Sequence, residues 1–306
     1  MQRRRRKSHN LRNAVIAIII LIFVVSVVVV AYQMNARAGP PTYSDISSSS
    51  TTSAGSLCTF SVLWTDDVNV SGYVFETNNT GVFVNDTWTP FSNFTSPTSA
   101  YASATKTLNS NVGSFVSWTF WCNNTSNRWT ELPIQNLLVV SKVLLEAKWG
   151  DTTEDITIQL FGDMPITSGN FLNLTETGVY DGTNFTRIVP GFVIQGGDAS
   201  GKGITVQNIA DELPNKKHSN VQWAVAMAKT SSNSGVIPNS ASDQFYINLE
   251  DNHVQLDPNY TVFGTVVSGF NVVDAISQLV PSSANATGYD GAPSPPVTII
   301  TAQLVS

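Results

Sequence analysis

The stretch that decides the fold runs from Tyr180 to Asp198 and reads YDGTNFTRIVPGFVIQGGD. It carries a single arginine, Arg187, and a Pro-Gly pair between two runs rich in β-branched and aromatic residues. Its closing glycines also begin a second pattern, because Gly196–Lys202 fits the G-x-x-x-x-G-K start of a phosphate-binding loop. Such a loop needs Ser or Thr next, for magnesium, and then a long helix, whereas Gly203 follows here and no long helix is predicted. The stretch therefore does not indicate a nucleotide site.

Three further blocks accompany this stretch. Upstream, NFL at Asn170–Leu172 is followed by GVYDG at Gly178–Gly182, and downstream lie NSASDQFYINL at Asn239–Leu249 and LDPNYTVFGTVVSGFNVV at Leu256–Val273. In this order the four blocks resemble the cyclophilin family. In that family a strand with Phe-His-Arg leads through Pro-Gly-Phe to Gln-Gly-Gly-Asp, and Gly-Ser-Gln-Phe-Phe-Ile and Val-Phe-Gly-x-Val follow. The resemblance extends over residues 141–306.

The resemblance implies a mainly β fold at residues 139–306, a cyclophilin-like closed antiparallel β-barrel capped by two helices. The residue pattern agrees, with strands predicted at Val140–Ala147 and Asp155–Phe161 around a Gly-Asp turn. Helices are predicted at Pro165–Thr177, with a proline in its first turn, and at Asn271–Leu279, with a single apolar stripe.

The activity that the resemblance implies is peptidyl-prolyl cis-trans isomerisation, which needs no cofactor and no metal. An X-Pro bond rotates slowly because amide resonance imposes a barrier of about 18–20 kcal/mol. In the twisted state the imide nitrogen regains a lone pair, so a fixed donor to that nitrogen favours this state over both planar ones. Arg187 matches the family's position for the donor, and its guanidinium stays charged and offers several N–H groups.

The resemblance also assigns residues to the walls of the substrate site. The catalytic set that it implies is Arg187, Phe192 and Gln195, in which the glutamine binds the substrate backbone and orients the arginine. Phe192, Val193, Tyr246 and Leu256 match the lining of the family's proline pocket. The substrate-binding positions implied are Val193, Ala228, Gln244, Tyr246, Leu256 and Tyr260.

Four positions depart from the family pattern. Thr186 replaces the histidine before the arginine, and Lys229 replaces an asparagine that contacts the substrate backbone. Gln255 stands where many members have tryptophan, and Tyr260 where many have histidine. None of these changes removes the arginine or the pocket floor. They predict a shifted substrate preference, slower turnover and weak binding of cyclosporin.

The composition argues against other classes of function. The chain has 306 residues and a formal charge of −6, yet six of its 16 basic residues lie within the first thirteen positions. The remainder is strongly acidic, which argues against nucleic-acid binding because phosphate contacts need clustered Lys and Arg. The three histidines, His9, His218 and His253, have no cysteine or zincin-type partner in the sequence, so no metal site is predicted.

An uncharged apolar run near the N-terminus predicts a transmembrane helix. Ala14–Tyr32 contains nineteen residues without charge, enough to cross the hydrocarbon core. Residues 1–13 then form a basic cytoplasmic tail, and everything after the span lies outside the membrane by the positive-inside rule. An uncleaved signal anchor is favoured. The alternative, a cleaved signal peptide, rests on the tripeptide Ala36-Arg37-Ala38.

A stalk and a second β unit are predicted between the span and the barrel. Residues 33–56 are rich in Ser and Thr and predict a flexible spacer. Residues 57–133 alternate with period 2 around Cys58 and Cys122, which predicts an immunoglobulin-like β-sandwich with both cysteines in its core. A disulfide between the two, formed in an oxidising compartment, is expected to contribute about 3–4 kcal/mol.

Acceptor triplets for N-glycosylation are abundant and agree with an extracytoplasmic location. They begin at Asn69, Asn78, Asn85, Asn93, Asn123, Asn124, Asn173, Asn184, Asn259 and Asn285. Thr186 completes the triplet at Asn184. We expect that site to be unmodified, because a glycan there would crowd the catalytic face.

The sequence thus predicts a single-pass membrane protein that isomerises X-Pro bonds of extracytoplasmic polypeptides and assists their folding. Its partners would be proline-containing polypeptides and the membrane, without nucleic acid or nucleotide. Two alternatives stay open. One is a weakly active or inactive cyclophilin fold that binds proline-containing segments, and the other is a surface adhesion protein in which the sandwich carries the role.

Overall fold

A computed structural model describes residues 20–29, 39–49, 52–92, 94–96, 98–213, 218–279 and 291–305. Of the predicted span Ala14–Tyr32 only residues 20–29 are among them, and they form helix α1. Within the described ranges no helix is long and apolar enough to cross a membrane. Residues 1–13 and the tripeptide Ala36-Arg37-Ala38 lie outside the described residues, so the tail, the anchor and its cleavage stay predictions.

The first β unit consists of two antiparallel sheets. Its strands are β1 (Thr42–Ser48), β2 (Leu57–Thr65), β3 (Val70–Thr77), β4 (Val84–Asn85), β5 (Thr89–Pro90), β6 (Phe94–Ser96), β7 (Ser99–Thr107), β8 (Phe115–Asn124), β9 (Trp129–Glu131) and β10 (Gln135–Leu138). One sheet has the order β1-β2-β7-β6, and the other has the order β10-β8-β3-β4, with β5 on β3 and β9 on β8. Phe60 packs between the sheets against Phe75 and Trp118, at ring-centroid distances of 5.0 and 5.1 Å. The immunoglobulin-like topology of this unit stays a prediction.

Part of the predicted stalk belongs to this unit. Strand β1 pairs antiparallel with β2, and Tyr43 stands level with Trp64, with the two rings edge to face at 5.7 Å. The prediction of a flexible spacer is therefore wrong for Thr42–Ser48. An edge strand is held mainly by its backbone hydrogen bonds, so it needs few of the apolar side chains that this segment lacks.

The predicted disulfide is absent, and both cysteines are free, buried thiols. Phe60 of β2 lies across from Trp118 of β8, while Asn124 at the end of β8 donates to Asp66, just beyond the end of β2, at 3.1 Å. The two strands therefore run in the same direction on opposite sides of the core. Cys58 is level with the start of β8, and Cys122 lies about six residues further along, or about 20 Å. A disulfide needs Cα atoms within about 7 Å.

Thiol chemistry can test whether Cys58 and Cys122 are free. We expect two reactive thiols per chain after unfolding in denaturant without reductant, and the same melting temperature with and without reductant. Burial raises the pKa of both thiols, so both should react slowly in the folded protein. A reductant-dependent fall in melting temperature, or fewer than two thiols in the unfolded chain, would show that the bond forms.

The second β unit is the barrel. Its elements are β11 (Lys142–Trp149), β12 (Thr152–Leu160), α2 (Pro165–Glu176), β13 (Asn184–Val189), β14 (Val193–Gly196), a 3-10 turn (Ser200–Lys202), β15 (Ala224–Met227), β16 (Ser231–Ser232), β17 (Gly235–Val236), β18 (Phe245–Asn248), α3 (His253–Leu256), β19 (Val262–Ser268), α4 (Phe270–Ser277) and β20 (Val297–Val305). Eight strands close antiparallel in the order β11-β12-β19-β15-β18-β14-β13-β20, which confirms the predicted barrel.

Both predicted barrel helices are confirmed, as α2 and α4, and their apolar faces belong to the barrel core. Helix α2 begins with Pro165, whose missing N–H costs nothing in the first turn. The residue before it provides no side-chain cap. Instead the distant Glu212 carboxylate accepts the N–H groups of Ile166 and Thr167 at 3.1 and 2.9 Å. A carboxylate there also suits the positive end of the helix dipole.

A hydrogen-bonded seam joins the two β units. The Thr52 hydroxyl donates to the Leu138 carbonyl at 2.6 Å, and the Leu138 N–H donates to the Gly162 carbonyl at 2.8 Å. The Val140 N–H donates to the Thr52 carbonyl at 3.0 Å. A Cβ on Gly162 would overlap the Thr52 hydroxyl and the Leu138 carbonyl, so glycine is required for this approach.

Candidate active site

A β-bulge in β13 turns Arg187 to the outside of the barrel. Phe185 and Ile188 both point into the barrel core although they lie three residues apart, because the register of β13 against β14 shifts between Phe185 and Arg187. Thr186 is the additional residue, and it is exposed. Arg187 therefore stands level with Gln195 on the outer surface, half-buried. Bulges often re-aim a side chain beside a site in this way.

Arg187 begins a row of outward-facing residues that crosses five neighbouring strands. Gln195 of β14 is its partner, and Tyr246 of β18 is the partner of Gln195. Ala226 of β15 pairs with Tyr246, and Val262 of β19 pairs with Ala226. Adjacent strands lie about 4.8 Å apart, so one residue from each strand at the same level makes a continuous surface. The row brings together residues that are far apart in the sequence.

An apolar cluster on the outside of the barrel wall forms a floor beside this row. Its buried members are Val193, Ala224, Ala226, Tyr246, Leu256 and Val262, and Phe161, Phe192, Ala228 and Tyr260 pack against them. A pocket of about 140 Å³ opens onto this floor, lined by Arg187, Phe192, Val193, Gln195, Ala228, Lys229, Ser231, Tyr246, Leu256 and Tyr260. Its apolar floor and single arginine suit a small ring that carries a polar bond at its edge.

Eight of the nine residues predicted for the site thus line one pocket. The ninth, Gln244, lines an adjoining polar pocket of about 160 Å³ together with Ser240 and Ser242. Gln195 belongs to both pockets, and its Nε2 donates to the Gln244 Oε1 at 2.9 Å. This bond holds the Gln195 amide in the wall between the two pockets.

Lys229 is buried in that wall. Its side chain is 3% exposed and forms an ion pair with Asp211 at 2.6 Å, while its Nζ also donates to the Asn259 carbonyl at 2.9 Å. The Asp211 carboxylate accepts the Asn239 N–H as well, at 2.9 Å. Sequence reasoning missed Asp211, although a buried lysine needs a carboxylate partner. The charge that this chain has in place of the family's asparagine is therefore neutralised within the wall.

Of the other three departures from the family pattern, Tyr260 lines the pocket. Thr186 and Gln255 are exposed, and neither lines the pocket. Tyr260 packs edge to face on Tyr246, with ring centroids 5.8 Å apart. Asn184 is exposed on β13, where its Oδ1 accepts the Thr298 hydroxyl at 2.7 Å. That Asn184 carries no glycan stays a prediction.

Burial raises the pKa of the Tyr246 hydroxyl well above its ordinary value, and the nearby Tyr260 and Asp257 add to the shift. The phenol is therefore neutral and serves as a hydrogen-bond donor. Among the described residues, no three His, Cys, Asp or Glu side chains come together to hold a metal ion. His218 instead pairs with Asp163 at 2.8 Å and stacks on Phe161 at 4.0 Å.

Comparisons with known proteins place this geometry in context. A family model described as cyclophilin type peptidyl-prolyl cis-trans isomerase/CLD matches residues 145–304. Peptidyl-prolyl cis-trans isomerase A of Dickeya dadantii is 36% identical over 148 residues, 46% of this chain and 74% of the relative. An isomerase of Acinetobacter baylyi is 36% identical over 50% of this chain and 81% of the relative. An isomerase of Streptomyces antibioticus is 38% identical over 47% of this chain and 87% of the relative.

Solved structures are also similar. Two crystal structures of a cyclophilin type isomerase from Cryptosporidium parvum, one of them in the presence of the dipeptide Ala-Pro, are 24% and 25% identical to this chain. Each match covers 54% of this chain, and the matches cover 98% and 99% of the two solved chains. The TM-scores are 0.45 and 0.44.

Proposed function

The chain belongs to the cyclophilin-type peptidyl-prolyl cis-trans isomerases, and we propose that it isomerises X-Pro bonds of polypeptides outside the cytoplasm and assists their folding. The observation that carries the proposal is the pocket in which Arg187 stands beside the apolar floor of Phe192, Tyr246 and Leu256. An apolar surface for the proline ring and a fixed hydrogen-bond donor are sufficient for isomerisation, because rotation about the X-Pro bond makes and breaks no covalent bond.

In the proposed mechanism the proline ring lies on the apolar floor and the X-Pro bond faces Arg187. The guanidinium donates to the imide nitrogen in the twisted state, where the lone pair is available, and not in the planar states. Strand register holds the arginine in place before the substrate arrives, so little reorganisation is needed during rotation. Gln195, fixed by Gln244, is the group that binds the substrate backbone.

The proposed location rests on the sequence. The uncharged run Ala14–Tyr32 follows a cluster of six basic residues, which favours a single-pass anchor with both β units outside the membrane. Client segments would then be proline-containing stretches of exported or surface polypeptides. An isomerase suits such a compartment, since its reaction consumes no ATP.

The test is a prolyl-isomerisation assay on the full chain in detergent, together with refolding of a protein whose slow phase is an X-Pro isomerisation. We expect acceleration of both at amounts well below one enzyme per substrate. Acceleration only near equimolar amounts would favour the binding module instead, and no effect would overturn the isomerase proposal. Protease added to intact cells should cleave residues after Tyr32. Their full protection would overturn the proposed location.

A further inference from the structure

We infer that Asn220 is a positioning residue for the proline pocket, holding Phe192, Tyr246 and Leu256 in place from beneath the floor. The inference rests on the proposed function, because it names a residue that acts through the lining of that same site. No sequence motif marks Asn220, and none of its atoms lines the pocket.

All four polar atoms of Asn220, a fully buried residue, have partners. Its Oδ1 accepts the Tyr246 hydroxyl at 2.8 Å and the Asn248 Nδ2 at 3.2 Å. Its own N–H and Nδ2 both donate to the Asp257 Oδ1, at 2.7 and 2.9 Å. Its carbonyl accepts the Asn252 N–H at 2.8 Å. Buried polar groups cost stability unless they are satisfied, and a fully satisfied network specifies one geometry.

A second asparagine extends this network to Phe192. The Asn252 Nδ2 donates to the Phe192 carbonyl at 2.8 Å and to the Asn248 Oδ1 at 3.0 Å. The Leu249 N–H donates to the same Phe192 carbonyl at 2.9 Å. Phe192 lies in the turn between β13 and β14, and the Leu249 bond extends the pairing of β14 with β18 to its carbonyl. The Asn252 side chain thus adds a second bond to that carbonyl and links the backbone that carries the Phe192 ring to Asn220.

The same residue holds both ends of α3. Asn252 stands directly before this short helix and Asp257 directly after it, and each bonds to Asn220. Leu256 is the last residue of the helix and a member of the pocket floor. A helix of four residues is not stable alone, so its placement depends on such contacts.

The hydrogen-bond network of Asn220 contacts residues of the apolar pocket floor and not Arg187. This placement determines how loss of the network should change the kinetics. The floor contacts the proline ring equally in the planar and twisted states, so weakening it removes uniform binding and raises KM with little change in kcat. The family strand that this chain resembles has phenylalanine at this position, so the resemblance does not imply the hydrogen bond from the Tyr246 hydroxyl to Asn220.

The main test is Asn220→Asp in the full chain. The new carboxyl would lie within hydrogen-bond distance of the Asp257 carboxylate, so the two groups would share a proton at low pH and repel at high pH. The other titratable groups here are the Tyr246 hydroxyl, whose pKa burial raises well above its ordinary value, and Tyr260 beside it. The His253–Asp251 pair at the start of α3 and the His218–Asp163 pair beside Phe161 are common to the wild type and every variant. KM of the variant should be near that of the wild type at low pH and rise at least about tenfold with increasing pH. Its kcat should stay within about twofold, and the rise should persist when its KM is divided by that of the wild type at each pH.

Asn271→Asp is the matched control. Asn271 also donates to a carboxylate, that of Glu154 at 3.4 Å, but it lies exposed on α4, away from the pocket. Its KM should equal that of the wild type at every pH. Equal KM profiles for Asn220→Asp and Asn271→Asp would overturn the inference.

Tyr246→Phe keeps the test decisive if Asn220→Asp does not fold. It removes one hydroxyl and should raise KM about fivefold, the equivalent of about 1 kcal/mol. An unchanged KM would overturn the inference. The dissociation constant of an X-Pro peptide, measured by calorimetry in parallel, should follow the same pattern. If the wild type bound the X-Pro peptide without isomerising it, only the proposed function would be contradicted. The peptide affinities of the variants would still decide the role of Asn220.

Discussion

Replacing Arg187 with alanine is expected to lower kcat/KM for an X-Pro peptide by about 10²–10³-fold, the range seen when one fixed donor is removed from an active site. The loss should fall on kcat, because the donor acts on the twisted state while the apolar floor still binds the ring. The fold should persist, since Arg187 is half-buried on the outer surface and β13 is held by backbone pairing. Steady-state kinetics and thermal unfolding measure the two effects separately.

Two controls make this result specific to the site. Arg128 is the other arginine within the described residues, and it is exposed on the sandwich, so Arg128→Ala should behave as the wild type. Arg187→Lys keeps the charge but lacks the planar guanidinium with its fixed N–H donors. Its kcat should therefore be nearly as low as that of Arg187→Ala. A kcat for Arg187→Ala within about threefold of the wild type would remove the arginine from the proposed mechanism.

The sequence allowed the pocket lining to be predicted but not its support. Arg187, Phe192 and Gln195 fall within one short block, so a family resemblance was enough to bring them together. Asp211 and Asn220 act through partners 18 and 37 residues away, and neither belongs to a recognisable pattern. Hydrogen bonds over such separations follow from the closed barrel, which no local periodicity describes. The supporting residues therefore became visible only in three dimensions.

The sandwich shows a different limit. A period of two indicates which residues share a face, and it correctly placed Cys58 and Cys122 in the core. It does not indicate how far along the strand direction two residues lie from each other across the core. That depends on the relative direction of β2 and β8, which places the cysteines at opposite ends. Strand β1 escaped prediction because an edge strand is recognised by its partner and not by its own side chains.

Replacing Gly162 with alanine is expected to lower the free energy of unfolding by about 2–4 kcal/mol. The added methyl group would overlap the Thr52 hydroxyl and the Leu138 carbonyl, both buried at the seam between the sandwich and the barrel. Relief of the overlap must separate these groups and break the 2.6 Å hydrogen bond between them. In a chain of this size, we expect the melting temperature to fall by about 5–15 °C.

Gly169→Ala is the matched control, because its Cβ faces the same neighbour without strain. The new methyl group would lie 3.6 Å from a Leu138 methyl carbon, an ordinary contact. Gly169 is also inside α2, where alanine is favoured over glycine by about 1 kcal/mol. The two substitutions should therefore shift the melting temperature in opposite directions. Equal shifts, or an unchanged melting temperature for Gly162→Ala, would mean that the seam does not hold the two units together as tightly as its hydrogen bonds imply.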